Sequence, residues 1–154
     1  MRALVQRVSE ASVSVGQELV SSIGNGLLIF LGVCSTDSDF EAEYISDKLL
    51  NLRIFSDSRG KFDKSALDES ADILVVSQFT LYSDTRKGRR PSFTQAAHPD
   101  QASELIDKVV DILSKSGLNV QIGRFQAHMS VSIVNDGPVT IMIDTDDKHR
   151  SRRN

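Results

Sequence analysis

The segment Asn135-Asp136-Gly137-Pro138 constrains this chain more than any other. Strand-like apolar runs lie on both sides of it, residues 129–134 before and residues 139–143 after. Two strands joined by a turn is the direct reading. Glycine takes backbone angles closed to other residues, and proline lacks an N–H and tolerates a cis bond before it. Most X–Pro bonds are trans, and a trans proline makes this an ordinary turn. A cis bond would let both flanking carbonyls point the same way, as a fixed pair of acceptors able to read a ligand without any side chain. The residues of the segment leave both readings open.

The rest of the chain supplies more strands. Residues 2–8 alternate, residues 11–15 alternate again, and Gly16-Gln17 turns the chain into residues 18–23. Gly24-Asn25-Gly26 makes a further turn. Residues 27–33 are nearly all apolar, which predicts a central strand covered on both faces. Short strands joined by short turns predict an antiparallel sheet. Asp37-Ser38-Asp39 offers acceptors for a helix start, and Phe40, Tyr44, Ile45, Leu49 and Leu52 recur at helical spacing. Arg53-Ile54-Phe55 reads as extended, and residues 61–70 give no clear pattern. Residues 73–76 form another buried strand running into Ser77-Gln78-Phe79-Thr80. His98-Pro99-Asp100 opens a second helix, with Leu105, Ile106, Val109 and Leu113 on its buried face and Gly117 as its stop. Residues 120–123 form a short strand. The expected fold is α+β: a curved, mainly antiparallel, barrel-like sheet with two main helices packed on it. Residues 1–144 form the domain, and residues 145–154 form a polar basic tail expected to fray.

A length of 154 residues suits one domain with a real core. With 18 basic against 21 acidic side chains the formal net charge is -3. That excludes a generally basic nucleic-acid coat, so nucleic-acid contact must use local patches. The single cysteine, Cys34, makes no internal disulfide, and its apolar run favours a buried thiol. No leader and no membrane-length apolar run is seen, so cytoplasm is the default location.

The common catalytic inventories come up short. His98, His128 and His149 lie apart, with no carboxylate or cysteine at ligand spacing, so no metal is expected. There is no phosphate-binding Gly-rich loop and no G-x-S-x-G elbow. Residues 77–80 carry two hydroxyls, an amide and an aromatic ring at a strand end. They suit either a polar strand exit or a site with oxyanion donors and a base-reading amide. Arg7 lies in an otherwise apolar strand and reads either as a sheet-edge ion pair or as a fork holding backbone carbonyls. Arg86, Lys87, Arg89 and Arg90 cluster around Gly88 and form either a solvated loop or a phosphate contact. Phe125 and Met129 flank a short connector and pack in the core or line a pocket.

Four motifs then fall in order: RALVQRVSEASVSV at the start, SQFTL at residues 77–81, RRPSF at residues 89–93, and GRFQAHMSVSIVNDGPVT at residues 123–140. Together they resemble the D-aminoacyl-tRNA deacylase family, over nearly the whole chain from Met1 to about residue 143. The resemblance implies a homodimeric enzyme that needs no cofactor. It hydrolyses the ester joining a D-amino acid, or mischarged glycine, to the 3′ end of tRNA. It implies that Gly137 and a cis Pro138 reach into the partner subunit's pocket and leave no room for an L side chain, with Arg7 steadying their carbonyls. Ser77, Gln78, Phe79 and Thr80 would receive the terminal adenosine and the ester. Gln78 is assigned to the adenine, Phe79 to the oxyanion-side backbone and Thr80 to positioning, while Phe125 and Met129 wall the pocket. Gln126 departs from the family pattern, where a small residue usually stands, and His128 is also unexpected.

The resemblance further implies that the ribose 2′-hydroxyl of the tRNA helps water attack, with no obligatory protein base. A Thr80-nucleophile esterase and a non-catalytic nucleic-acid-binding module are the alternatives.

Overall fold

The computed structural model describes residues 1–149. Its first element, β1 (Arg2–Val15), is one long strand rather than the two expected, and it carries the sheet. It pairs antiparallel with β2 (Glu18–Ile23), with β3 (Gly26–Gly32) and with the last strand, β8 (Ser130–Asp144).

The antiparallel expectation holds for β1 and its partners and fails beyond them. β3 pairs parallel with β6 (Asp72–Ser77), and β6 pairs parallel with β7 (Val120–Ile122). The cause is the connections. Helix α1 (Asp39–Asn51) lies between β3 and β6, and helix α3 (Pro99–Ser114) lies between β6 and β7. Crossovers of that length return the chain parallel. The result is a mixed, nearly closed barrel-like sheet in an α+β fold.

β3 and β6 are buried on both faces, as their unbroken apolar runs require. Leu27, Ile29, Leu31, Ile73 and Val75 meet the helices through Ile45, Leu49, Ile106 and Val109. Leu28, Leu74 and Val76 face the other way, against Val8, Ala11, Val13 and Ile23.

Ser38 starts α1 with a capping box: its Oγ accepts from the Phe40 N–H, and its own N–H donates to the Glu41 carboxylate at 2.9 Å. Phe40 itself points outward, with the Lys148 ammonium 4.0 Å from its ring centre. Residues 61–70 resolve into β5 (Phe62–Lys64), paired with β4 (Phe55–Ser56), and a third, one-turn helix α2 (Ala66–Glu69) capped by Ser65.

Two boundaries differ from expectation. The runs around Gly137 do not make a hairpin; they are one strand, β8, that kinks. Gln6 pairs with Thr140 and Val8 with Asn135, so residues 136–139 form an excursion opposite Arg7 alone. The Gly137–Pro138 bond is cis. The first part of the expected tail, Thr145–His149, is a 3-10 turn, and Thr145 is buried where its hydroxyl accepts from the Met1 ammonium. Arg150, Arg152 and Arg153 of the expected basic tail lie outside the described residues. Among the described residues no helix is long and apolar enough to cross a membrane.

Candidate active site

The site begins where β6 ends. The ladder closes with the Gln78 N–H donating to the Leu31 carbonyl at 2.8 Å. Gln78 then leaves strand geometry, and Phe79–Tyr82 forms a 3-10 turn. Ser77 alone of residues 77–80 is therefore on the strand. The turn folds tightly over β3 because Gly32 has no side chain: a Cβ there would lie 2.9 Å from the Gln78 carbonyl oxygen. Arg2 holds the far end, donating to the Leu81 carbonyl at 3.0 Å and to Asp144 at 2.8 Å while covering the Tyr82 ring. Burial pushes the Tyr82 hydroxyl well above its ordinary pKa.

This turn presents backbone donors. The first N–H groups of a 3-10 turn, here those of Phe79 and Thr80, have no acceptor inside it. The Gln78 side-chain amide donates to the Thr80 hydroxyl. That oxygen is thereby an acceptor, and among the described residues no basic group bonds to it.

A cavity of about 1110 Å³ opens beside the turn. Ser77, Gln78 and Phe79 form one wall, and Phe125 and Met129, from the connector at residues 123–129, form another. Gly123 makes room for Met129, whose sulfur would lie 2.8 Å from a Cβ at that position and accepts from the Arg124 N–H at 3.3 Å. Gln126 lines the same cavity with a left-handed backbone, φ 58°. Thr80 is exposed and does not line the cavity.

Phe93, His98 and His128 are among the lining residues that escaped sequence reasoning as pocket residues. Phe93 packs edge-on against Phe79 with ring centres 4.9 Å apart. Its only signal is membership of the RRPSF motif. His98 and His128 are far apart in sequence and meet at the cavity only through the fold. His98 lies 3.5 Å from the exposed Asp100 carboxylate. Among the described residues no group of three or more His, Cys, Asp or Glu side chains is placed to hold a metal ion.

Arg7, Gly137 and Pro138 form a second group, and none of them lines that cavity. Arg7 Nε donates to the Asp136 carbonyl at 3.1 Å and its Nη1 to the Ile54 carbonyl at 2.7 Å. The carbonyls it bonds are thus those of Asp136 and Ile54, not those of Gly137 and Pro138. Its Nε also pairs with the Asp136 carboxylate at 3.1 Å, and its guanidinium sits over the Phe62 ring. Asn135 closes the base of the excursion: its Oδ1 accepts from the Val139 N–H at 2.8 Å and its Nδ2 donates to Thr140 Oγ1 at 2.9 Å. Gly137 has φ 134°, and a Cβ on it would meet Val139 Cγ2 at 2.7 Å and Arg7 Nη2 at 3.1 Å. Gly137 and Pro138 are exposed at the tip.

Comparison with known proteins bears on both groups. A family model described as D-Tyr-tRNA(Tyr) deacylase matches residues 4–144. A D-aminoacyl-tRNA deacylase of Roseiflexus sp. (strain RS-1) is 56% identical over 145 residues, covering 94% of each chain. One from Chloroflexus aurantiacus is 54% identical over 153 residues, covering 99% of this chain and 96% of its own. Among solved structures, one named c-Myc DNA Unwinding Element Binding Protein is 43% identical with a TM-score of 0.88, covering 94% of this chain and 99% of its own. Another, described as a probable eukaryotic D-amino acid tRNA deacylase, shares the fold with a TM-score of 0.83 at 19% identity, over 92% of this chain and 97% of its own.

Proposed function

The chain belongs to the D-Tyr-tRNA(Tyr) deacylase family, and on that premise we propose that it hydrolyses the ester of D-aminoacyl-tRNA, releasing the D-amino acid and tRNA. The observation that carries this reading is the match across residues 4–144, which takes in both residue groups of the site. Mischarged glycyl-tRNA is a substrate on the same terms, because glycine offers no side chain to exclude.

The 3′-terminal adenosine enters the cavity against Gln78 and Phe79, and Phe125 and Met129 close the apolar side. Aminoacyl esters are activated already, so positioning and oxyanion stabilisation suffice for much of the rate. The N–H groups at the head of the Phe79–Tyr82 turn are the oxyanion donors. The adjacent ribose 2′-hydroxyl assists the attacking water. This assignment is supported by the Thr80 hydroxyl, which is engaged by the Gln78 amide and has no base among the described residues to activate it.

Chirality is enforced by exclusion. Gly137 and Pro138 do not line the cavity beside the Phe79–Tyr82 turn, yet they stand exposed on an excursion stapled by Arg7 and Asn135. In a homodimer they enter the partner's cavity and occupy the place an L side chain needs. A steric block of this kind discriminates better than a missing contact, which is worth only about 10–200-fold. The protein works where aminoacyl-tRNA is found, in the cytoplasm.

The deciding assay is deacylation of matched D- and L-tyrosyl-tRNA by the purified protein. Rapid loss of the D ester with the L ester spared is expected, and equal loss of both ends the reading. Replacing the terminal 2′-hydroxyl by hydrogen should abolish turnover. A second reading, a nucleic-acid-binding module without catalysis, draws on the 43%-identical structure, whose name is that of a DNA-binding protein. It predicts retained nucleic acid with an unchanged ester half-life. A Thr80 nucleophile predicts instead that Thr80→Val is dead on free D-amino-acid esters.

A further inference from the structure

We propose that the basic loop at residues 84–92 is a phosphate clamp for the acceptor end of the RNA; this rests on the reading above that the substrate is an aminoacyl-tRNA. The loop is a small closed hairpin. Asp84 N–H donates to the Ser92 carbonyl at 2.7 Å and Ser92 N–H to the Asp84 carbonyl at 2.9 Å. Gly88 turns its tip at φ 72°.

Four cations occupy residues 86–90, but they are not equivalent. Arg86 is committed to Asp84, with Nε to Oδ1 at 2.9 Å and Nη2 to Oδ2 at 2.7 Å. That carboxylate is the hairpin's own anion, and Arg86 consumes it. Lys87, Arg89 and Arg90 are exposed and have no hydrogen-bond or ion-pair partner among the described residues. The protein as a whole is acidic, at -3. Three unpaired cations on one closed hairpin therefore make a local positive field against the general charge.

Position gives that field its use. Phe93 directly follows Ser92 of the closing pair; it packs edge-on against Phe79 and lines the cavity. Arg90 is three residues from Phe93, a chain span of at most about 11 Å. An ester seated beside Phe79 is attached to the last nucleotide of a strand. The phosphates before it must leave across the cavity lip, within reach of these long side chains. Phosphodiester recognition of this kind carries no sequence information and fixes only position.

The test is titration of an uncharged acceptor-stem minihelix, one bearing no amino acid, with wild type and with the triple variant K87A/R89A/R90A over a range of salt. The triple variant should bind at least about tenfold more weakly near 100 mM salt, with a log–log salt slope shallower by about 2–3. The charge-keeping variant K87R/R89K/R90K should bind like wild type. On D-tyrosyl-tRNA the triple alanine variant should lose kcat/KM through KM, while its turnover of D-tyrosyl-adenosine ester stays unchanged. An unchanged affinity and slope overturns the clamp. So does an equal loss on both esters, which would make the hairpin part of the pocket. If wild type hydrolyses neither ester, the deacylase reading fails, and the minihelix titration still decides the hairpin.

Discussion

Arg7 stands alone opposite four residues of β8, and its Nε holds the carbonyl of Asp136, the first of them, at 3.1 Å. The same guanidinium reaches the Ile54 carbonyl at 2.7 Å, so one side chain ties the excursion to the loop after α1. Arg7→Ala should cost about 1–3 kcal/mol of stability, from two lost charge-assisted bonds and an acceptor left unpaired. It should also reduce D-tyrosyl-tRNA turnover. Arg7→Lys restores charge but not the fork, and should recover stability only in part. Urea denaturation and deacylation rates on the three proteins check this.

Gly137→Ala tests the tip itself. At φ 134° an L side chain is strained, and the added Cβ would lie 2.7 Å from Val139 Cγ2. The tip is exposed, so the fold should survive with a loss of about 1–2 kcal/mol. Activity or chiral discrimination should fall by far more than in a surface control such as Lys115→Ala. Circular dichroism with the paired D/L assay separates the two effects.

Acid stability should depend on Glu41. Burial works against its charged form, but hydrogen bonds from Lys148 and Ser38 draw the carboxyl down from 4.5 to about 2. A carboxyl depressed in the folded state stabilises above its unfolded pKa. That contribution is whole above about pH 4.5 and is lost as pH falls towards 2. Lys148→Ala should therefore cost about 1 kcal/mol near neutral pH and progressively less as pH falls through 2. Unfolding midpoints across that range decide it.

Gln126 occupies a backbone conformation suited to glycine, φ 58°. Gln126→Gly should leave stability unchanged or raise it by up to about 1 kcal/mol, whereas Gln126→Val should lower it by about 1–2 kcal/mol. Thermal melts of both variants suffice. Any change of amino-acid preference in Gln126→Gly would mark the side chain as part of the cavity rim.

Much of the fold is legible in the sequence because burial leaves a clear trace. The unbroken apolar run at residues 27–31 announces β3, and Asp37-Ser38-Asp39 with the helical spacing of Ile45 and Leu49 announces α1. The kink in β8 reads as a turn because apolar runs on both sides of Gly137–Pro138 suit a hairpin and a bulged strand equally. Only the length of β1, which pairs with both halves, distinguishes them. The parallel pairing of β3, β6 and β7 follows from the crossover connections that carry α1 and α3, and no strand's own residues record it. The site is half legible. Ser77, Gln78, Phe79, Phe125 and Met129 do meet at one cavity. Phe93 and His98 reach it from separate segments, and His128 from the same connector as Phe125 and Met129; none of the three carries a local sign of a pocket role beyond its motif.

The cavity and the Gly137–Pro138 excursion lie apart on a single chain, and that separation has an arithmetic of its own. In the proposed homodimer, a protomer crippled at Gly137 keeps a sound cavity, and one crippled at Phe79 keeps a sound excursion. Refolded together, the two dead proteins should form hybrids with one whole site each and recover part of the lost turnover. Chains that each served only themselves would stay silent in the mixture.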